Sequence, residues 1–92
     1  MQKRAIITVV GKDTVGIIAR VCSYLAERSI NILDISQTIV QGYFNMMMIV
    51  DITALETPFA DVAKELDTIG KEALGVQIKC QKEEIFDSMH RI

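Results

Sequence analysis

Tryptophan is absent from this chain, proline and histidine occur once each, and aromatics are limited to two tyrosines and three phenylalanines. So few rings leave no platform on which successive bases could stack. Two cysteines, Cys22 and Cys80, stand far apart and form no CxxC. That excludes paired-thiol zinc motifs and a disulfide framework, and it fits two free thiols in a reducing, cytoplasmic setting. No excess of one charge exists either: 10 basic and 12 acidic side chains are intermixed, giving a net charge of −2. There is accordingly no basic stripe for nucleic acid and no polybasic patch for a membrane surface. No apolar run approaches the length needed to span a bilayer. The opening Met1-Gln2-Lys3-Arg4 leads into a strand-like run without a small-residue cleavage site, so no signal peptide is read. His90 has no cysteine or second histidine near it in the sequence, and neither a metal site nor a cofactor is expected.

What the chain does have is apolar residues, 50% of its 92. That is high for one small domain, and it implies apolar surface directed at a partner. Residues 3–10 alternate as a strand with apolar residues on both faces, as a central strand covered on both sides would. Residues 14–29 read as a helix, with Ile18, Val21, Cys22 and Leu25 at i, i+3, i+4 and i+7 and Asp13 or Thr14 as cap. Residues 30–41 read as an edge strand, long enough at ~3.3 Å per residue to require a bend or bulge. Gln41-Gly42 marks a tight turn into a third strand over 43–53, along which the run Met46-Met47-Met48 is divided between two faces. Thr57 as cap and Pro58 as first helical residue open a second helix, with Phe59, Val62, Ala63, Leu66, Ile69 and Ala73 on its apolar face and Gly75 as its stop. Residues 76–81 form a fourth strand. Residues 83–92 carry Ile85, Phe86, Met89 and Ile92 at helical spacing, too short a segment to be stable undocked.

The order β-α-β-β-α-β with right-handed crossovers gives an α+β, ferredoxin-like sandwich: a four-stranded antiparallel sheet, order 4-1-3-2, with two helices on one face. The central strands are apolar on the other face too, which one chain could cover only with its short tail; this predicts a homodimer or larger homo-oligomer.

No catalytic constellation is present. Nothing pairs a nucleophile with a base, and the metal motif HExxH is missing. Gly11-Lys12-Asp13-Thr14 resembles the end of a phosphate-binding loop, but Asp13 separates the lysine from the threonine and Ile6 stands where the first glycine belongs. Acylphosphatases of this strand order place an arginine in the first strand–helix loop, where this chain has only Lys12. Elimination leaves a binding or regulatory module and no enzyme. The strand–turn–helix junction over residues 11–17 can hold an anion, because free N–H groups and the positive end of the helix dipole point out of it, or can be simply a capped turn.

Val10-Gly11-Lys12-Asp13-Thr14-Val15-Gly16-Ile17 followed by Ile30-Asn31-Ile32 resembles the signature of the ACT domain, a βαββαβ module that binds amino acids and other small ligands. The likeness covers essentially the whole chain, with an ACT domain over 1–82 and a helical tail over 83–92. It is similar to small stand-alone ACT proteins and to the ACT domains of glycine-cleavage repressors and formyltetrahydrofolate deformylases. The resemblance implies an allosteric, dimeric sensor of a small molecule, an amino acid in the first instance, acting on a regulated protein target. It implies a ligand between two chains, near the first loop and the start of the second strand: Gly11, Asp13, Thr14, Gly16, Ile17 and Asn31. Gly16 and Ile17 N–H groups would meet a carboxylate, Asp13 an ammonium, and the Asn31 amide either. Asp13 as helix cap and Asn31 as turn residue remain open beside these roles. The alternative is a protein–protein interaction module with an empty loop.

Overall fold

The computed structural model describes residues 3–12 and 15–83. The elements follow in the expected order: β1 (Arg4–Lys12), α1 (Ile17–Glu27), β2 (Asn31–Val40), β3 (Tyr43–Asp51), α2 (Phe59–Thr68), a π-helical extension of α2 (Ile69–Leu74) and β4 (Val76–Lys82). The sheet is antiparallel with order β2-β3-β1-β4. Expectations for the tail beyond Glu83 lie outside the described residues, as do those for Asp13 and Thr14.

Strand alternation decides which face is buried. Ala5, Ile7 and Val9 of β1 register with Val50, Met48 and Met46 of β3. Together with Val76 and Ile78 of β4 they pack against Ile17, Val21, Tyr24 and Leu25 of α1 and Val62 and Leu66 of α2 in one core. The methionine run splits as expected: Met46 and Met48 are buried and Met47 is 48% exposed on the opposite face. Unbranched methionines suit a core whose helix-facing gaps are irregular.

The helices depart from the sequence reading at their starts. α1 begins at Ile17, capped by Gly16 in the left-handed region (φ 90°), with no side-chain cap bond. The buried stripe is therefore Ile17, Val21, Tyr24 and Leu25, and Ile18 is 37% exposed. α2 begins at Phe59, with Pro58 at the cap position and an extended ψ of 136°, one residue later than expected. Ala73 is exposed because the chain leaves α-helical geometry at Ile69. Gly70 explains that departure. A Cβ there would lie 2.6 Å from the Val76 carbonyl oxygen and 2.9 Å from Ile78 Cγ1. The helix backbone rests directly on β4, and the π turn accommodates the close approach.

β2 is an edge strand, as β4 is, and has the expected bulge between Ile32 and Asp34. The two-residue turn to β3 has positive φ at both Gln41 (50°) and Gly42 (83°), the twist that favours a tight hairpin. Beyond the bulge, Ile35 and Ile39 point to the helix side opposite Met48 and Phe44, yet they remain 42% and 59% exposed because α1 does not reach them. Among the described residues no element covers the face away from the helices. Its three middle cross-strand rows read Gln81-Ile6-Ile49-Asp34, Lys79-Thr8-Met47-Ser36 and Gln77-Val10-Asn45-Thr38 from β4 to β2.

Candidate functional site

Register places the sequence-predicted residues at two ends of the sheet. Gly11 and Lys12 pair with Phe44 and Tyr43. Asn31 pairs with Asp51, which in turn pairs with Arg4 at the other end of β1. Eight strand steps separate Arg4 from Lys12, roughly 26 Å at ~3.3 Å per residue. The turn after β1 and Asn31 therefore cannot contact one small molecule within one chain. Two chains can supply them together.

At the turn, Gly16 adopts φ 90° with open space where a Cβ would project. Its carbonyl accepts the first helical bond, from Arg20 N–H at 2.9 Å. The N–H groups of Ile17 to Ala19 precede that bond and have no acceptor within the helix. Val15 is 100% exposed and Ile18 37%, so the turn is flanked by apolar side chains that no other described residue covers. Gly11 has a structural reason of its own. A Cβ there would meet Val76 Cγ1 at 2.7 Å and Val76 Cα at 2.9 Å, so a side chain would force β1 and β4 apart.

A second constellation was not read from the sequence. Between α1 and α2 lies a groove of about 440 Å³, lined by Arg20, Tyr24, Arg28, Lys64 and Glu65 among others. Tyr24 donates its hydroxyl hydrogen to Glu65, Arg28 pairs with Glu65 at 3.5 Å, and the Arg28 guanidinium lies 4.9 Å from the Tyr24 ring centre. This clamp ties the helices together. The available signal was the spacing of Tyr24, seven residues after Ile17, which puts it on the buried stripe once the helix starts at Ile17.

Burial first, then the Glu65 carboxylate, pushes the Tyr24 phenol up from 10.0 to about 12, and burial pushes the Cys80 thiol up from 9.0 to about 12. Both groups hold their protons more tightly in the folded chain than in the unfolded one. Their contribution to stability is whole below pH 9, where both are protonated in either state. It is lost as the pH rises through the unfolded values toward 12. An alkaline titration of a Tyr43→Phe chain followed by tyrosinate absorbance should show Tyr24 ionising near pH 12 together with unfolding. Ionisation near pH 10 with the fold intact would contradict a buried clamp.

Among the described residues no three of His, Cys, Asp and Glu converge to hold a metal ion, and no helix is long and apolar enough to cross a membrane.

A family model for the ACT domain matches residues 3–81. A UPF0237 protein of Bifidobacterium longum is 60% identical over 91 residues, covering 99% of this chain and 100% of that protein. Among solved structures, an ACT domain protein from Streptococcus pneumoniae is 41% identical with a TM-score of 0.82, covering 98% of this chain and all of that one. The regulatory subunit of aspartate kinase from Thermus thermophilus is 25% identical with a TM-score of 0.64, covering 87% of this chain and 51% of that one.

Proposed function

Because this chain belongs to the ACT domain family, we propose that it is a non-catalytic, cytoplasmic sensor that binds an amino acid between two copies of itself. The observation that carries this reading is the placement of Asn31 at the end of the sheet opposite the Gly11–Gly16 turn. Pairing two β2 edges antiparallel, about a twofold normal to the sheet, brings Asn31 of one copy to the end at which the other copy's turn lies. The exposed β2 edge and the uncovered Ile35 and Ile39 support that pairing. In the composite site the helix N–H groups after Gly16 take the ligand carboxylate, and Asp13 and the partner copy's Asn31 take its ammonium. Regulation follows by linkage: a ligand that touches both copies favours the arrangement that completes its site, by about 1–3 kcal/mol, and a target protein reads the altered surface. The aspartate kinase neighbour, a regulatory subunit, supports a regulatory role. Residues 1–82 form the sensing domain and 83–92 an appended tail.

A thermal-shift screen of the common amino acids tests this. Ligand at about 100 times its dissociation constant should stabilise the fold by ~2.7 kcal/mol, several degrees for a domain of this size. Asn31→Ala should remove the shift while leaving the unliganded melting temperature nearly unchanged, since Asn31 is exposed. No shift with any amino acid would sink the reading. It would favour an interaction module, for which the exposed Val10, Tyr43 and Met47 are the supporting observation.

A further inference from the structure

We propose that the open face of the sheet binds a second copy of this chain face to face, about a twofold axis running parallel to the strands; this stands independently of the amino-acid reading. Three features carry it. The seam between β1 and β3 is apolar, with Val10 45% and Met47 48% exposed and Ile6 and Ile49 half-buried. Its margins are polar, the anatomy of a specific interface. The charges are self-complementary. Among the twelve residues of the three middle rows one is cationic, Lys79 on β4, and one anionic, Asp34 on β2, at opposite margins and both exposed.

A twofold along the strands lays the β4 margin of one copy over the β2 margin of the other, with Lys79 and Asp34 one row apart, so each Lys79 meets one Asp34 and the dimer holds two such pairs. A twofold across the strands instead lays Lys79 over Lys79. Charge thus selects the first arrangement. Shape agrees with it. A shallow dip of about 190 Å³ lies on this face, with Thr8, Asn45 and Met47 in its lining. The selected twofold exchanges β1 and β3. It puts the second copy's Val10 over Asn45, within the dip, and its Met47 over Thr8 at the margin. Ile6 lies over the second copy's Ile49. Sheets packed this way sit about 10 Å apart with strands nearly aligned.

Sedimentation equilibrium without added ligand, in an Ile39→Lys background that handicaps β2-edge pairing, reads the face contact alone. Lys79→Glu or Asp34→Lys singly should raise the dimer dissociation constant about tenfold or more, and the two together should return it to within about threefold of the parent. Met47→Asp should leave only monomer, with the native circular dichroism spectrum retained because Met47 lies outside the core. A monomeric parent would overturn the proposal. So would a dimer indifferent to Met47→Asp, or one in which the doubly reversed chain is no tighter than the single ones. Failure of the amino-acid screen touches none of these outcomes.

Discussion

Mixing Asp13→Ala chains with Asn31→Ala chains should restore amino-acid binding that neither variant shows alone. The expectation follows from the register. One sheet end carries the turn and the other carries Asn31, roughly 26 Å apart by strand length. Each site in a β2-paired dimer then takes its turn from one copy and its Asn31 from the other. A mixed dimer has one site with both groups intact and one with both removed. Random reassociation makes about half of the dimers mixed, so about a quarter of all sites are regained. Titration calorimetry with the amino acid found in the thermal screen reads this as stoichiometry rising from near zero to about one quarter of the wild-type value, at wild-type affinity. A site built within one chain would regain nothing on mixing, because every chain would still carry a lesion. Mixing that recovers no binding would therefore remove the composite site while leaving the fold untouched.

Gly70→Ala should be strongly destabilising for a change of a single methyl group. The added carbon would sit 2.6 Å from a backbone carbonyl oxygen of β4 and 2.9 Å from the Ile78 side chain. Ile78 can rotate, but the Val76 carbonyl is part of the strand and cannot turn aside. The cost is that of overpacking, at the upper part of the usual range of about 1–3 kcal/mol. It exceeds the ~1 kcal/mol that alanine returns over glycine in helical backbone. At about 4–8 °C per kcal/mol for a domain of this size, the net loss lowers the melting temperature by roughly 8–15 °C. Gly75→Ala is the matched control. Gly75 has nothing within 4 Å of its added carbon and φ 68°, so only backbone strain of ~1 kcal/mol acts there. If the two variants melt within a few degrees of each other, the contact between the π turn and β4 is softer than its geometry implies.

The fold was legible because its strands alternate cleanly. The buried set Ala5, Ile7, Val9 and Phe44, Met46, Met48, Val50 follows from period two alone, and the two-faced apolarity of β1 and β3 showed they were central. Helix starts were less legible. Ile17 and Ile18 are adjacent and chemically equal, so spacing could not choose between them; the choice was made by Gly16 taking positive φ, which turns Ile17 inward. Gly70 carries no local signal beyond the low helix propensity of glycine, since its purpose is a contact with a strand six residues on that no local pattern encodes. Of the candidate site, the residue types were visible but their separation was not. The resemblance set the turn and Asn31 on one ligand between two chains; the eleven residues of α1 carry the chain from one end of the sheet to the other, which is why the two lie at opposite ends within each chain.

The bare edge of β2 has a consequence for the chain's life before assembly. Its ten residues, Asn31–Val40, include no lysine, no proline and one carboxylate, Asp34, and the single bulge sits near one end. Most of its length is thus an uncharged template whose outer backbone groups no described strand pairs, lacking most of the devices by which edge strands usually repel strangers. A freshly made copy without its mate is exposed to off-pathway pairing, and the hazard grows with the time it spends alone. Pairing with a like copy would be this protein's protection against aggregation as well as its means of forming a site. Solubility should then rise with any ligand that prolongs the pair.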